Sequence, residues 1–177
     1  MFTRKGDLGA TDTGLRERVS KSSPLIDVEG TIDELNSFIG FAKSNTQWDD
    51  IRNDLEACQR DLFLLGEHLT AHAQRRTITE DRVTWLEERT MVYKREIGPL
   101  RLFVIPGGSK ESTSAHMART VARRLERAVV EASSDIDVDK VILSYLNRIS
   151  SLLFQIAIVS NKRLGISEEI WDIRRTI

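Results

Sequence analysis

The sequence SKESTSAHMARTVARRLERAVVEAS, residues 109–133, decides the fold class. Its alanine, valine and leucine residues recur every three or four positions, which places them on one face of a helix. No glycine or proline interrupts the chain between Ser109 and Gly165. Because both residue types disfavour helix interiors, this stretch predicts two long helices, the second beginning near Asp139. Gly165 can close that second helix as a left-handed C-terminal cap.

Upstream, the same reasoning predicts three more helices, since residues 41–97 contain one glycine, Gly66, and no proline. The five predicted helices begin near Thr31, Asp49 or Asp50, Thr79, Ser109 and Asp139. The first start rests on a capping-box pattern in which Thr31 is the N-cap and Glu34 follows three residues later. Short connections favour antiparallel neighbours, so we expect an all-α, five-helix up-and-down bundle.

The remaining segments carry weaker signals. Residues 1–23 contain three glycines without apolar periodicity and are predicted to form a loop ahead of the bundle at 24–177. Residues 102–105 precede Pro106 and are interpreted as an extended linker rather than a strand. A short turn of helix is expected around Glu168 to Asp172.

Composition narrows the class of protein. The chain has 177 residues, with 26 basic and 27 acidic side chains and a net charge of −1, which suits one domain, 1–177. Near-neutral charge argues against whole-surface attraction to nucleic acid or an anionic membrane. The single cysteine, Cys58, excludes an intrachain disulfide and fits a cytoplasmic location. We expect no signal peptide, and the longest apolar run, residues 152–159, is too short to span a bilayer.

Two basic segments are candidate polyphosphate sites. Arg119, Arg123 and Arg127 are spaced four residues apart and share one helix face, and no carboxylate accompanies them before Glu126. Guanidinium groups without acidic partners can bind phosphate bidentately, although a solvated charged face is the alternative. The glycine-containing segment 3–11, with Lys5 and Lys21, could cradle phosphate through backbone N–H groups, or could be a frayed terminus.

Other catalytic chemistry finds little support in the sequence. His68 and His72 have an i, i+4 spacing that can bind zinc, but neither a metalloprotease glutamate nor a cysteine pair accompanies them, so we expect no metal site. No hydrolytic triad and no clear general base is present. If the protein is an enzyme, we expect the nucleophile to arrive with the substrate.

Taken together, six blocks resemble the PduO-type ATP:cob(I)alamin adenosyltransferases, also called corrinoid adenosyltransferases. The blocks occur in family order, and they are TRKGDLG (3–9), VSK (19–21), GTIDELNS (30–37), FVIPGGS (103–109), HMARTVARRLER (116–127) and YLNRIS (145–150). Each block alone is weak, but six in order are specific. Ser151 and Ile158 stand where many members carry Asp and Arg, and we expect these two positions to affect packing or pairing rather than chemistry.

The resemblance implies a trimer of five-helix bundles with ATP bound between neighbouring subunits. One subunit would contribute Thr3, Arg4, Lys5, Gly6, Thr11, Asp12 and Lys21. The next would contribute Arg123, Arg124, Glu126, Arg127 and Asn147. The implied catalytic residues are Asp33, Phe103, Arg119 and Arg123, with Asp33 pairing Arg123 across the interface.

The resemblance also implies the chemistry. Cob(I)alamin would attack C5′ of ATP and expel triphosphate, with Mg²⁺, lysines and arginines stabilising the leaving charge. Phe103 would press on the lower face of the corrin and exclude the axial ligand, which makes Co(II) easier to reduce. A Co(II) reductase and an adenosylcobalamin-dependent mutase are the implied partners. The alternatives are a corrinoid carrier or sensor of the same fold with little turnover, and a purely structural helical oligomer.

Overall fold

The structure, a computed structural model, describes residues 4–13, 17–71, 77–100 and 103–171. Over these residues it contains five helices: α1 Pro24–Asn45, α2 Asp49–Ala71, α3 Glu80–Ile97, α4 Lys110–Ala132 and α5 Lys140–Arg163. The short strands β1 Ala10–Asp12 and β2 Arg18–Ser20 form one antiparallel pair, and β3 Val104–Ile105 and β4 Glu169–Ile170 form another. The predicted all-α bundle of five helices is therefore confirmed.

Side-chain pairs between helices define their directions. The ion pairs Asp61–Arg82 and Asp54–Arg89 join α2 to α3, and residue numbers rise on one helix as they fall on the other, so these helices are antiparallel. The pairs Glu87–Arg148 and Glu96–Arg163 join α3 to α5 with residue numbers rising together, so these helices are parallel. Asn36 on α1 and Gln59 on α2 each donate a side-chain N–H to the other's backbone carbonyl. Together with the short α1–α2 turn, these contacts show that α1, α2 and α3 alternate in direction and that α5 runs parallel to α3.

The apolar stripes predicted from periodicity form the core. On α4 and α5 every stripe residue is buried, including Leu125, Ile142 and Ile149, and α5 packs against both α3 and α4. By length and composition alone α5 could cross a membrane, but 61% of its apolar window is buried inside the bundle. A central helix of a bundle passes the same test, so this property follows from its place in the core.

A buried polar network joins α2 to α3, and periodicity did not predict it. Asp54 is buried, with its side chain 8% exposed, and its carboxylate accepts hydrogen bonds from Tyr93 Oη at 2.6 Å and Arg89 Nε at 2.8 Å. Burial raises the pKa of Asp54 despite these two donors. Asp61 is arranged in the same way, with Arg82 and Tyr145 as donors. Each carboxylate is satisfied by partners from other helices, as a buried charge requires.

The predicted start of the first helix is wrong. α1 begins at Pro24, and Thr31 lies within the helix, where its hydroxyl donates to the Asp27 carbonyl at 2.7 Å. Proline is compatible with the first helical position, because its missing N–H has no intrahelical acceptor there. The other predicted starts agree with the structure, where Thr79, Ser109 and Asp139 are N-cap residues.

Two further predictions are corrected by one sheet. Residues 104–105 are not an unpaired linker, and residues 169–170 are not a turn of helix: Val104 pairs with Ile170 and Ile105 with Glu169. Gly165 does close α5 in the left-handed conformation, with φ of 69°. Its N–H bonds the Lys162 carbonyl and that of Ile166 bonds the Asn161 carbonyl, which turns the chain back toward β3.

Candidate functional site

The N-terminal segment, predicted to be a loop, contains a small hairpin that arranges its polar groups. The Arg18 guanidinium bonds the Asp12 carboxylate at 3.2 Å and also donates to the Lys5 carbonyl. The Lys21 N–H donates to the Gly9 carbonyl at 2.9 Å, which returns the chain to the turn at residues 4–9. A Cβ added to Gly6 would lie 3.0 Å from Lys21 Nζ, so the lysine side chain passes close to this turn.

The hairpin, α1 and α2 enclose a groove of about 880 Å³, which we call the hairpin groove. It contains three predicted site residues, Thr11, Lys21 and Asp33. Its other walls are formed by Ile26, Glu29, Gly30, Ile32, Asn36, Leu62, Phe63, Gly66 and Glu67. The volume lies within the range of small-molecule sites, and both polar and apolar side chains line it.

The arginines of α4 border a different groove. Arg119 and Arg123 line a space of about 230 Å³, the arginine groove, together with Ser150, Ser151, Phe154 and Gln155 of α5. Burial and then the positive charge of Arg123 lower the pKa of Arg119. Within the described residues neither arginine forms a salt bridge, whereas the adjacent Arg124 does. The groove therefore holds two cationic groups that an anionic ligand would stabilise.

His116 supports Arg119 from within the same helix. Its ring is 3% exposed, and its Nδ1 accepts a hydrogen bond from Arg119 Nε at 3.3 Å. The Phe154 ring lies 6.0 Å from it, centroid to centroid. Burial and the nearby Arg119 charge lower the pKa of His116 to about 4, so the imidazole is neutral at pH 7. A neutral Nδ1 can accept the guanidinium N–H as a hydrogen bond.

The remaining predicted residues of α4 and α5 divide between two locations. Arg124 forms an ion pair with Glu34 of α1 and lines a small groove with Lys21, so it lies on the hairpin side of the same chain. Glu126 accepts from Asn147 Nδ2 at 3.0 Å, and this pair joins α4 to α5. Arg127 is exposed and donates to the backbone carbonyl of Arg123 at 2.9 Å.

Phe103 directly precedes β3 and is held there by backbone contacts. Its ring is 84% exposed, and its carbonyl accepts from the Trp171 N–H at 2.8 Å. An exposed aromatic ring at the end of a fixed strand is available for an apolar ligand. Phe103 does not line the hairpin groove or the arginine groove.

Two predicted positions, Thr3 and His72, lie outside the described residues. The described part of the chain contains no group of three His, Cys, Asp or Glu side chains suited to a metal ion.

Several site residues were missed by sequence reasoning. Arg18, which braces the hairpin, gave no signal beyond its charge. Phe63 is 74% exposed at the wall of the hairpin groove and lies just outside the apolar stripe of α2. Because Phe63 does not share the helical spacing of the buried α2 residues, the sequence already indicated an exposed aromatic side chain on this helix. The α5 residues Ser150, Phe154 and Gln155 needed the α4–α5 pairing to be recognised.

Comparisons with known proteins agree with the helical-bundle fold. The family model described as cobalamin adenosyltransferase matches residues 1–160. The corrinoid adenosyltransferase of Bacillus subtilis (strain 168) is 38% identical over 174 residues, covering 95% of this chain and 90% of that protein. The cobalamin adenosyltransferase of Cupriavidus metallidurans is 38% identical over 174 residues, covering 98% and 94% of the two chains.

A solved structure extends the likeness to three dimensions. A PduO-type ATP:corrinoid adenosyltransferase from Lactobacillus reuteri, a Phe-to-Ala variant complexed with cobalamin and ATP, superimposes with a TM-score of 0.88 and 29% identity. The match covers 96% of this chain and 98% of that one. The fold and these relatives thus define an adenosyl-transferring enzyme of the helical-bundle type. The chain belongs to the cobalamin adenosyltransferase family, which confirms the resemblance found in the sequence.

Proposed function

We propose that the protein transfers the 5′-deoxyadenosyl group of ATP to cob(I)alamin. The Co(I) centre of the substrate supplies an electron pair to C5′, a Co–C bond forms, and the C5′–O bond breaks as triphosphate leaves with its electrons. No proton has to move, which agrees with the absence of a candidate general base from the sequence motifs. The protein's task is to orient C5′ and to stabilise the departing charge.

The observation that carries this proposal is the pair Arg119 and Arg123. They lie one helical turn apart beside the arginine groove, with no salt-bridge partner in the described chain. Triphosphate gains negative charge as the C5′–O bond breaks, so guanidinium groups held nearby stabilise the transition state more than the ground state. The hydrogen bond from Arg119 to His116 orients one of the two groups before the ligand binds.

The hairpin side is proposed to hold the nucleotide. Lys21 and Thr11 line its groove, and the turn containing Arg4, Lys5 and Gly6 lies next to Lys21. Asp12 does not line the hairpin groove. It supports this turn through Arg18, which donates to both the Asp12 carboxylate and the Lys5 carbonyl. Thr3 is proposed to extend the same site. Mg²⁺ is proposed to enter bound to the ATP phosphates.

The active site is proposed to form between copies of the chain in a homotrimer. Asp33 lines the hairpin groove and Arg123 lines the arginine groove, so the two proposed partners border different spaces on one chain. A second copy that places its arginine groove against the hairpin groove brings carboxylate and guanidinium groups together. It would also cover Phe63, which is 74% exposed in the hairpin groove.

Phe103 is proposed to contact the lower face of the corrin and keep the axial ligand away from cobalt. Its exposed ring suits this task, because the apolar surface becomes buried only when the corrin binds. Delivery of Co(I) by a reductase, transfer of the product to a mutase, and a cytoplasmic location complete the proposal. A carrier or sensor with little turnover is the second candidate, and it predicts binding of both ligands without release of triphosphate.

A mixed-chain experiment tests the shared site. Asp33→Ala and Arg123→Ala chains are unfolded, mixed in equal amounts and refolded, and trimers are identified by native mass spectrometry. Each mixed ring has one interface of three with both native groups, and about three quarters of random trimers are mixed. Adenosylcobalamin formation should therefore recover to about one quarter of the wild-type rate.

A matched mixture separates the two geometries. Wild-type chains are mixed equally with chains that carry both substitutions. A shared site again gives about one quarter of the wild-type rate, whereas a site within one chain gives about one half. In the first mixture a site within one chain gives no recovery at all. That pair of results, none and one half, would refute the shared site, while triphosphate release would still decide between enzyme and carrier.

A further inference from the structure

Asn161 joins three separate segments near the end of α5. Its side chain is 1% exposed, and both of its polar atoms are hydrogen-bonded. Oδ1 accepts from the Ser109 N–H at 2.9 Å. Nδ2 donates to the Gly107 carbonyl at 3.1 Å and to Glu168 Oε1 at 3.0 Å. One amide therefore contacts the loop after β3, the N-cap of α4 and the residue before β4.

These bonds close one end of the β3–β4 pair. The strands are antiparallel, with Ile105 opposite Glu169, so Gly107 and Glu168 lie at the same end. At the opposite end the Trp171 N–H donates to the Phe103 carbonyl at 2.8 Å. Each strand is only two residues long, so the hydrogen bonds at its two ends are a large part of the interactions that keep it in place.

The loop is also fitted closely around the amide. Gly108 has a φ of +88°, which favours glycine. A Cβ there would lie 2.5 Å from both Nδ2 and Oδ1 of Asn161. The backbone at Gly108 therefore contacts the face of the amide, and a displacement of this side chain would be transmitted to the loop between β3 and α4.

We propose that Asn161 is a positioning residue for Phe103. The ring is 84% exposed and has little packing of its own, so its location is determined by the backbone of β3. Asn161 fixes that backbone relative to α4, the helix that carries Arg119 and Arg123. This inference rests on the proposed contact between Phe103 and the corrin. It adds that the position of the ring depends on an amide that touches no substrate.

The main test variant is Asn161→Asp. The carboxylate keeps an acceptor for the Ser109 N–H, so the start of α4 retains its bond. It loses both donors and places a negative charge next to Glu168. Adding Glu168→Gln supplies an amide donor to the new carboxylate and should restore part of the lost function. Ser160→Ala is the control, because this neighbouring buried hydroxyl bonds only the Ile156 carbonyl of its own helix.

Two assays of adenosylcobalamin formation are compared, one starting from enzyme-bound cob(II)alamin with a reductant and the other from cob(I)alamin. Asn161→Asp should lower the cob(II)alamin-dependent rate at least about tenfold, since small misplacements of active-site groups have effects of this size or larger. The rate from cob(I)alamin should fall less, and the dissociation constant for ATP should stay within about twofold. The electron paramagnetic resonance signal of four-coordinate Co(II) should weaken in parallel. Ser160→Ala should match the wild type in each measurement.

A double-mutant cycle decides whether Asn161 acts through Phe103. If it does, Phe103→Ala in the Asn161→Asp background should lower the rate less than about twofold further. If the double variant shows the product of the two single-variant losses in rate, or if Asn161→Asp alone has the wild-type rate, the inference is overturned. A wild-type rate for Phe103→Ala alone would instead refute the proposed corrin contact. If Asn161→Asp does not fold, Glu168→Ala removes a single bond, and the same cycle with Phe103→Ala distinguishes the same two outcomes.

Discussion

Phe103→Ala should separate folding from function in this protein. Full burial of a phenylalanine side chain contributes about 1.5–3 kcal/mol. Because the Phe103 ring is 84% exposed, only about one sixth of that amount stabilises the free protein. The substitution should therefore lower the free energy of unfolding by at most about 0.5 kcal/mol, whereas a core Phe→Ala substitution costs about 3–5 kcal/mol.

The same arithmetic sets the expected loss of activity. The exposed five sixths of the ring correspond to about 2 kcal/mol that would become available on the proposed contact with the corrin. If this energy is used to exclude the axial ligand, its loss should slow the reaction from cob(II)alamin roughly 30-fold. The reaction from cob(I)alamin does not require that reduction, so it should slow much less. ATP binding should not change, because the ring does not line the hairpin groove.

The measurement pairs urea unfolding with the two rate assays. Phe41→Ala is the matched control, since Phe41 on α1 is also an exposed phenylalanine, at 52%, and should leave both rates near the wild-type values. An equal loss in the two rate assays would mean that Phe103 does not act on the reduction step. A loss of several kcal/mol in unfolding free energy would mean that the ring packs the fold, and the reasoning from its exposure would be refuted.

Three other perturbations follow from the described contacts. Arg123→Lys keeps the charge but loses the planar donor pair, so kcat should fall about 100-fold with little change in stability; wild-type turnover would remove Arg123 from the catalytic set. Asp54→Ala leaves Arg89 without its buried partner and should lower the free energy of unfolding in urea by about 3–5 kcal/mol. A loss below about 1 kcal/mol, the size expected of a surface ion pair, would contradict the assignment of Asp54 and Arg89 as a buried pair. The folded pKa of His116 is about 4, below its usual value, so the unfolded chain binds the proton first as pH falls from 6.5 to 4. Wild-type stability should therefore drop by about 2 kcal/mol more than that of His116→Phe between pH 7 and pH 5, and parallel pH profiles would refute the assignment.

The helices were predictable because their signals are local. Long stretches without glycine or proline carry a 3.6-residue apolar period. The residues at this spacing are buried as expected, for example Ile51, Leu55 and Leu62 on α2 and Ile142, Leu146 and Ile149 on α5. The capping box at Thr31 failed for a local reason too: glycine at position 30 is tolerated inside a helix, and the chain was already helical from Pro24. A weak start signal was outweighed by continuation of the helix.

The β3–β4 pair could not be predicted in this way. Val104 and Ile170 are 66 positions apart, and neither segment has the length or alternation of an independent strand. In the structure the turn at Gly165 leads the chain back toward β3, and the Asn161 amide bonds residues next to both strands, and these contacts are not local in sequence. The site shows the same division: Arg119 and Arg123 are recognisable on a helix face, whereas Phe63 and Phe154 become site residues only through contacts between helices.

The strongest upward pKa shifts in this protein lie in the core, whereas the lowered pKa values of Arg119 and His116 lie beside the arginine groove. The strongest upward shifts belong to Cys58, Tyr93 and Tyr145, and burial is the main cause of each. Tyr93 and Tyr145 donate to buried carboxylates, so their shifts reflect the core network between helices. Such shifts often mark catalytic acids and bases, but a reaction whose nucleophile belongs to the substrate needs neither. In the arginine groove the informative feature is the pair Arg119 and Arg123, which have no salt-bridge partner among the described residues.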